Sequence, residues 1–196
     1  YPTRWIHQEI RKGPLRPWER FLARLWSPLS WARNGRHLPL VAVHGKRDGP
    51  WRSKVVVDRW KRLRHRASVK VFEGGHDVWR RYLPTGQVYR DSRGWRRKTA
   101  PKRVTFETPR LRWNRAWWVE LRERARSDQR AKVSARAYHG GRFRVTTDNV
   151  TALRLTPPPG WRRAGKPARV QLDGAKLTVP AGSPLDFTRV AGRWTL

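Results

Sequence analysis

An α/β region followed by an all-β region with β-sandwich-like spacing is the architecture that the sequence predicts. Residues 1–80 alternate between helical and strand-like apolar patterns, and short strand candidates recur after residue 100. Residues 82–102 are rich in Pro, Gly and Arg without sustained periodicity, which predicts an irregular linker. Alternation of strands and helices is typical of parallel α/β sheets, whereas closely spaced short strands indicate a sandwich or barrel. We therefore predict two domains, residues 1–100 and 101–196.

The first elements are an amphipathic helix and a buried strand. From Pro17 to Trp26 the apolar side chains recur at helical spacing, and the pattern stops before Pro28. The run from Leu38 to Val43 is continuously apolar and lies between two glycines. Such a run is typical of a strand that is buried on both faces of a parallel sheet.

A helix and a second strand complete the α/β pattern. Ser53 is a suitable N-cap for a helix that continues to Arg66, and Val56, Trp60 and Leu63 share one face of that helix. The short run from Ser68 to Phe72 then predicts a strand. Strand, crossover helix and strand in succession indicate two parallel neighbours.

Short strand candidates separated by turn-forming residues fill the region after residue 100. The dipeptide Asp173-Gly174 is a strong two-residue hairpin signal. The predicted strands are Arg103–Glu107, Ala116–Leu121, Ala131–Tyr138, Arg142–Thr147, Val150–Thr156, Ala168–Leu172, Ala175–Val179 and Leu185–Arg189.

The composition bounds the function classes. The sequence carries 46 Lys and Arg against 14 Asp and Glu, a formal net charge of +32, which is ordinarily typical of a nucleic-acid binder. The excess is spread along the chain, as a compositional bias would also produce. With no Cys, the sequence excludes disulfides, zinc–thiolate sites and thiol catalysis. No apolar run is long enough to span a bilayer.

Two polar clusters follow the two predicted parallel strands. His44-Gly45-Lys46-Arg47-Asp48 follows the first strand, and Gly74-Gly75-His76 follows the second. Functional groups of open α/β sheets lie beyond the carboxyl ends of the strands, so we expect Asp48 and His76 to lie close together. A carboxylate that accepts a hydrogen bond from one imidazole nitrogen leaves the other nitrogen ready to take a proton from a serine hydroxyl.

These clusters resemble the end of the α/β-hydrolase fold, specifically the prolyl oligopeptidase family of serine peptidases and its esterase relatives. The resemblance covers about residues 15–80 closely and 100–190 loosely. It implies the C-terminal portion of an α/β-hydrolase sheet, with Asp48 as the acid and His76 as the general base of a catalytic triad. It also implies a peptide or ester substrate, no cofactor, and an accessory role for the β domain.

The sequence departs from that family at the nucleophile. No G-x-S-x-G motif occurs, and the family pattern places the serine before the acid, upstream of Tyr1. We therefore expect a truncated serine hydrolase that is inactive alone, and a secreted or periplasmic location stays open if a leader precedes it. The turn Gly49-Pro50-Trp51 also differs from the family pattern, which leaves the orientation of Asp48 open.

Two other interpretations stand beside the hydrolase. A basic RNA- or ribosome-associated protein would carry a contiguous basic face with exposed aromatic rings. The candidates for a base-stacking platform are Trp113, Trp117 and Trp118, which lie beside Arg112 and Arg115 in the sequence. A noncatalytic relative would keep Asp48 and His76 only as scaffold. We interpret His44 as structural. The other histidines, His7, His37, His65 and His139, share no spacing with carboxylates, so we expect no metal site.

Overall fold

A computed structural model describes residues 14–96 and 98–196 of the chain. These residues form two compact units. One unit comprises Ser27–Lys98, and the other combines the described residues up to Trp26 with Thr99–Leu196. None of the described helices has the length and apolar character needed to cross a membrane.

Helix α1 precedes the first unit along the chain and spans Pro17–Leu25. Pro17 occupies its first turn, and the Glu19 carboxylate accepts a hydrogen bond of 2.7 Å from the backbone N–H of Arg16. Proline is favoured at this position because its ring presets the helical φ and its missing N–H would have no intrahelical partner. The helix therefore begins and ends close to where its apolar spacing predicts.

The unit Ser27–Lys98 contains a parallel strand pair and several helices. Strand β1 (Leu40–Gly45) and strand β2 (Ala67–Phe72) pair in parallel register, with Gly45 opposite Phe72. Helix α2 begins at Trp51, ahead of the predicted Ser53 cap, and Pro50 is its N-cap. The elements in chain order are a 3-10 helix Pro28–His37, β1 Leu40–Gly45, α2 Trp51–Arg62, β2 Ala67–Phe72, α3 Val78–Tyr82 and α4 Gln87–Ser92.

The prediction of an α/β fold that forms the end of an α/β-hydrolase sheet is wrong. The described part of the chain is mostly β, with 35% of its residues in strands and 25% in helices. Within the described residues the parallel sheet has two strands, and β1 is only partly buried along most of its length. The physical reason is that no third apolar run follows β2. Residues 73–102 are rich in Gly, Pro and Arg, and the described ones form short helices instead of a further strand.

The segment 82–102, predicted as an irregular linker, is partly structured. Tyr82 is 2% exposed and packs its ring against Phe72, with the ring centroids 5.1 Å apart. The Asp91 carboxylate on α4 accepts hydrogen bonds from the Tyr82 hydroxyl at 2.6 Å and the Gln87 amide at 2.9 Å, and it pairs with the Lys70 ammonium of β2. This network fixes α3 and α4 against the parallel sheet.

Besides α1, the described residues of the second unit contain two five-stranded sheets whose buried faces share one hydrophobic core. The first sheet, called here the β6 sheet, has the strand order β10-β9-β7-β6-β3, and the second, the β8 sheet, has the order β12-β11-β8-β5-β4. The strands are β3 Arg103–Thr108, β4 Arg115–Ala116, β5 Val119–Glu123, β6 Ala131–Tyr138, β7 Arg142–Asp148, β8 Ala152–Leu155, β9 Ala168–Leu172, β10 Ala175–Val179, β11 Leu185–Val190 and β12 Arg193–Thr195.

Alternation of apolar and polar residues places the strands in these sheets. Along β6, every second residue from Ala131 to Ala137 is buried, and the intervening side chains point away from the core. The hairpin predicted at Asp173-Gly174 joins β9 to β10, and both residues have positive φ, 47° and 91°. These values are those that a two-residue hairpin turn requires.

The predicted strand Ala116–Leu121 is instead divided into β4 and β5. Trp117 has a φ of 54°, a left-handed conformation that interrupts the strand. Trp118 then enters the core, where it is 2% exposed and donates a 2.8 Å hydrogen bond from its indole nitrogen to the Pro101 carbonyl oxygen. A buried indole needs such an acceptor, which apolar periodicity alone does not reveal.

Candidate Asp–His site

Asp48 and His76 lie in the loops that leave β1 and β2. Because the two strands are parallel and in register at their ends, both loops emerge at the same edge of the sheet. The backbone N–H of Lys46 donates to the Phe72 carbonyl oxygen at 2.8 Å, and the N–H of Arg47 donates to the Gly74 carbonyl oxygen at 3.0 Å. These bonds hold the two loops against each other beyond the last pair of the ladder.

The side chains of the two residues make the contact that the sequence predicts. His76 Nδ1 lies 2.9 Å from Asp48 Oδ2. A carboxylate oxygen only accepts, so Nδ1 carries the proton and donates, and Nε2 of the neutral ring is the acceptor. Within the described residues His76 makes no other side-chain hydrogen bond, and its side chain is 91% exposed. The ring thus presents Nε2 as a base to an incoming group.

Gly45 allows the close approach of the two loops. A Cβ atom at this position would lie 2.2 Å from the Gly75 carbonyl oxygen and 2.7 Å from that of Gly74. Both obstacles are backbone atoms, which do not move aside as a flexible side chain would. Glycine at position 45 is therefore required for the distance between Asp48 and His76.

The surroundings of Asp48 favour its ionised form. The hydrogen bond from His76 is the main cause that lowers the pKa of the Asp48 carboxyl group; partial burial opposes it, and the charges of His76, His44 and Arg52 lower the pKa by smaller amounts. Its side chain is 34% exposed, so water still reaches it. An ionised carboxylate in this place orients the imidazole and stabilises the imidazolium that forms when His76 takes up a proton.

His44 is the second imidazole beside Asp48. Its Nε2 lies 4.0 Å from Asp48 Oδ2, too far for a hydrogen bond, and in the described part of the chain this buried nitrogen has no hydrogen-bond partner. Sequence reasoning assigned His44 a structural role. Its ring lies beside the same carboxylate oxygen that accepts the hydrogen bond from His76.

The aromatic platform proposed from the sequence does not form as a set. Trp118 is buried, and Trp117 packs against the core of the two-sheet unit. Only Trp113 of the three is largely exposed, at 59%, with the Arg112 guanidinium 6.0 Å from its ring centroid. Three indoles so divided between core and surface offer no shared stacking surface.

The described residues contain no group of three or more His, Cys, Asp or Glu side chains that could hold a metal ion. No protein-family model, curated protein or solved structure matched the chain. The geometry of the site itself offers an oriented imidazole with an exposed Nε2.

Proposed function

We propose that Asp48 and His76 are the acid–base half of a serine-hydrolase centre that cleaves a peptide or ester by acyl transfer to water. The observation that carries this proposal is the 2.9 Å hydrogen bond between His76 Nδ1 and Asp48 Oδ2, which leaves Nε2 exposed. The proposal rests on this pair and its order in the sequence, and it needs no particular sheet around it.

In this reaction His76 Nε2 removes the proton of a serine hydroxyl as the serine oxygen attacks the acyl carbon. The imidazolium then gives that proton to the leaving amine or alcohol, and the acyl group stays on the serine. Water, deprotonated by His76 in the same way, releases the acid and restores the hydroxyl. Asp48 holds the ring and offsets the positive charge that it carries between the two transfers.

The serine is supplied, in this proposal, by a segment or chain other than the described residues. No G-x-S-x-G motif occurs in the sequence, and no described hydroxyl hydrogen bonds to His76. Among the described residues, β1 and β2 each pair with one strand only. Their remaining edges offer unpaired backbone groups to an added segment, because an exposed edge is a template for further strand pairing.

The first test is hydrolysis of an activated ester, p-nitrophenyl acetate, by the purified chain. An oriented imidazole catalyses this reaction weakly without a serine, so the expected result is a rate above background that His76→Gln abolishes. Asp48→Asn is expected to lower the His76-dependent rate about tenfold, less than the ~10⁴-fold that a complete triad loses.

Matched controls separate the pair from histidine chemistry in general. His139 is exposed and carries no described carboxylate contact, so His139→Gln is expected to leave the rate unchanged. Gly45→Ala separates the loops and is expected to behave like Asp48→Asn, whereas Gly94→Ala adds a methyl group to open space and serves as its control. Equal rates for the unaltered protein, His76→Gln and His139→Gln would refute the proposal.

A further inference from the structure

The outward face of the β6 sheet carries two rows of basic side chains across its strands. In the first row, Arg103, Arg136 and Arg144 stand directly opposite one another on β3, β6 and β7, and Gln171 and Lys176 continue the row on β9 and β10. The second row consists of Tyr138, Arg142, Arg169 and Thr178. Neither row contains a carboxylate.

The β8 sheet of the same unit is built differently. Its outward row reads Arg115, Glu120, Arg154 and Asp186 on four neighbouring strands, so that opposite charges alternate. Arg154 pairs with Asp186 through two hydrogen bonds, and this contact lowers the pKa of the Asp186 carboxyl group. A compositional excess of Arg would give the outward faces of the β6 sheet and the β8 sheet the same balance of charge. The contrast therefore marks the β6 sheet as a distinct cationic face.

Three cations of this face lack a carboxylate partner among the residues that the structure describes. In the described part of the chain, Arg144, Arg169 and Lys176 make no ion pair, while the acidic residues of the sheet, Glu107 and Asp148, pair with Arg130 and Lys132 at its other end. Like charges directly opposite each other on a sheet destabilise it. Binding of a polyanion would relieve this repulsion, so the face is complementary to a chain of negative charges.

The face also offers an aromatic ring and a shallow depression. Tyr138 is 36% exposed, and the Arg136 guanidinium lies 5.0 Å from the centroid of its ring. The depression, of about 440 Å³, is lined by Tyr138, Arg142, Arg144, Arg169, Lys176 and Thr178 together with one amide and three apolar side chains of the same strands. With neighbouring strands ~4.8 Å apart, the first row extends over about 19 Å, a length that several nucleotides can follow.

We propose that this cationic face binds single-stranded nucleic acid, with its Arg and Lys side chains on the phosphates and Tyr138 stacked on a base. Arginine suits phosphate because its planar guanidinium donates two parallel hydrogen bonds. An unpaired base presents a face to Tyr138, whereas a duplex conceals its bases in the stack. The proposal is independent of the Asp48–His76 pair, since its residues all belong to the other unit.

The test is fluorescence anisotropy of labelled single-stranded RNA and DNA of one sequence, ~12 nucleotides long, with the full chain. Arg144→Gln combined with Arg169→Gln is compared with Arg122→Gln combined with Arg193→Gln, which removes equal charge from exposed positions of the β8 sheet. We expect the first variant to lose about tenfold in affinity and the second less than about twofold. Loss of two phosphate contacts should reduce the slope of log K against log salt by about 1.4.

Two further arms test the kind of ligand. Tyr138→Ala is expected to weaken the affinity for the single strand by at least about fivefold, because the loss of one base–aromatic stack costs about 1 kcal/mol or more. The same change should leave the affinity for the matched duplex unchanged. The proposal is overturned if the two charge variants lose affinity equally or if the unaltered protein binds single strand and duplex with equal affinity. It is also overturned if Tyr138→Ala has no effect on the affinity for the single strand. Binding of heparin or anionic phospholipid vesicles at this face without binding of the oligonucleotide would overturn it too.

Discussion

Asp91 joins the described helices after β2 to that strand. Its carboxylate accepts hydrogen bonds from Tyr82 and Gln87 and pairs with Lys70, so one side chain connects β2, α3 and α4. These contacts, led by that of Lys70, lower its pKa to about 2. Burial and the Asp91 carboxylate raise the pKa of Tyr82 to about 12, which keeps the phenol neutral and donating.

The low pKa of Asp91 predicts an acid-sensitive contact. In the unfolded chain the pKa of Asp is about 3.9. A carboxyl group whose pKa is lower in the folded state stabilises it above the unfolded pKa, and this contribution disappears as the pH falls through the folded pKa. We therefore expect α3 and α4 to lose hydrogen-exchange protection as the pH falls from about 4 to about 2.

Asp91→Asn provides the control for this pH dependence. The amide keeps the shape of the side chain but has no carboxyl group to protonate. At pH 6 the hydrogen-exchange protection of α3 and α4 is therefore expected to be lower in this variant than in the unaltered protein. Between pH 4 and pH 2 the protection in the variant should not change. Protection that falls identically with pH in both proteins would show that another group is responsible.

At the scale of elements, the hairpin between β9 and β10 connects the two five-stranded sheets. Asp173 in its turn accepts hydrogen bonds from the backbone N–H of Thr147 at 2.6 Å and from its hydroxyl group at 2.6 Å. It also accepts a 3.0 Å bond from the indole nitrogen of Trp194 on β12. The turn thus joins β7 of the β6 sheet to the edge strand of the β8 sheet, besides reversing the chain.

Replacing Asp173 is therefore expected to destabilise the whole two-sheet unit. Asp173→Ala loses three hydrogen bonds and places alanine at a positive φ, which together should lower the free energy of unfolding by about 2–4 kcal/mol. Urea denaturation followed by tryptophan fluorescence measures this change. Asparagine tolerates the same φ and keeps one acceptor oxygen, so Asp173→Asn should lower the free energy of unfolding by less than Asp173→Ala does. Equal, small losses for both variants would contradict a role in joining the sheets.

At the scale of the whole molecule, the net charge of +32 opposes folding through self-repulsion. Salt weakens this repulsion, because the screening length falls from about 30 Å at 0.01 M to about 10 Å at 0.1 M. The Tm of the chain is therefore expected to rise with ionic strength over this range. The rise should be smaller for Arg144→Gln combined with Arg169→Gln, since these side chains face other cations across the sheet.

Differential scanning fluorimetry across the same salt series measures both expectations. At low salt the Arg144→Gln, Arg169→Gln variant should melt at a higher temperature than the unaltered protein, because each removed cation relieves about 0.2–1 kcal/mol of cross-strand repulsion. The Arg122→Gln, Arg193→Gln variant is the charge-matched control. A lower Tm for the first variant at low salt would mean that its arginines are stabilised by contacts other than those described.

The sequence by itself predicted the contact between Asp48 and His76, since their positions after two parallel strands follow from local pattern and loop length. It likewise predicted α1, the strands of the two-sheet unit such as β6 and β9, and the Asp173-Gly174 hairpin, where alternation and turn chemistry act over a few residues. The catalytic role of the pair stays a prediction.

Tertiary structure alone decided the rest. Several features depend on which segments become neighbours in the folded chain. They are the extent of the parallel sheet, the division of the strand at Trp117, the burial of Tyr82 beside Asp91 and the arrangement of charges on the two five-stranded sheets. Cross-strand register joins residues far apart in the chain, so no local window contains the row from Arg103 to Lys176. The even spread of Arg along the sequence therefore concealed a face on which cations collect, beside another on which they alternate with carboxylates.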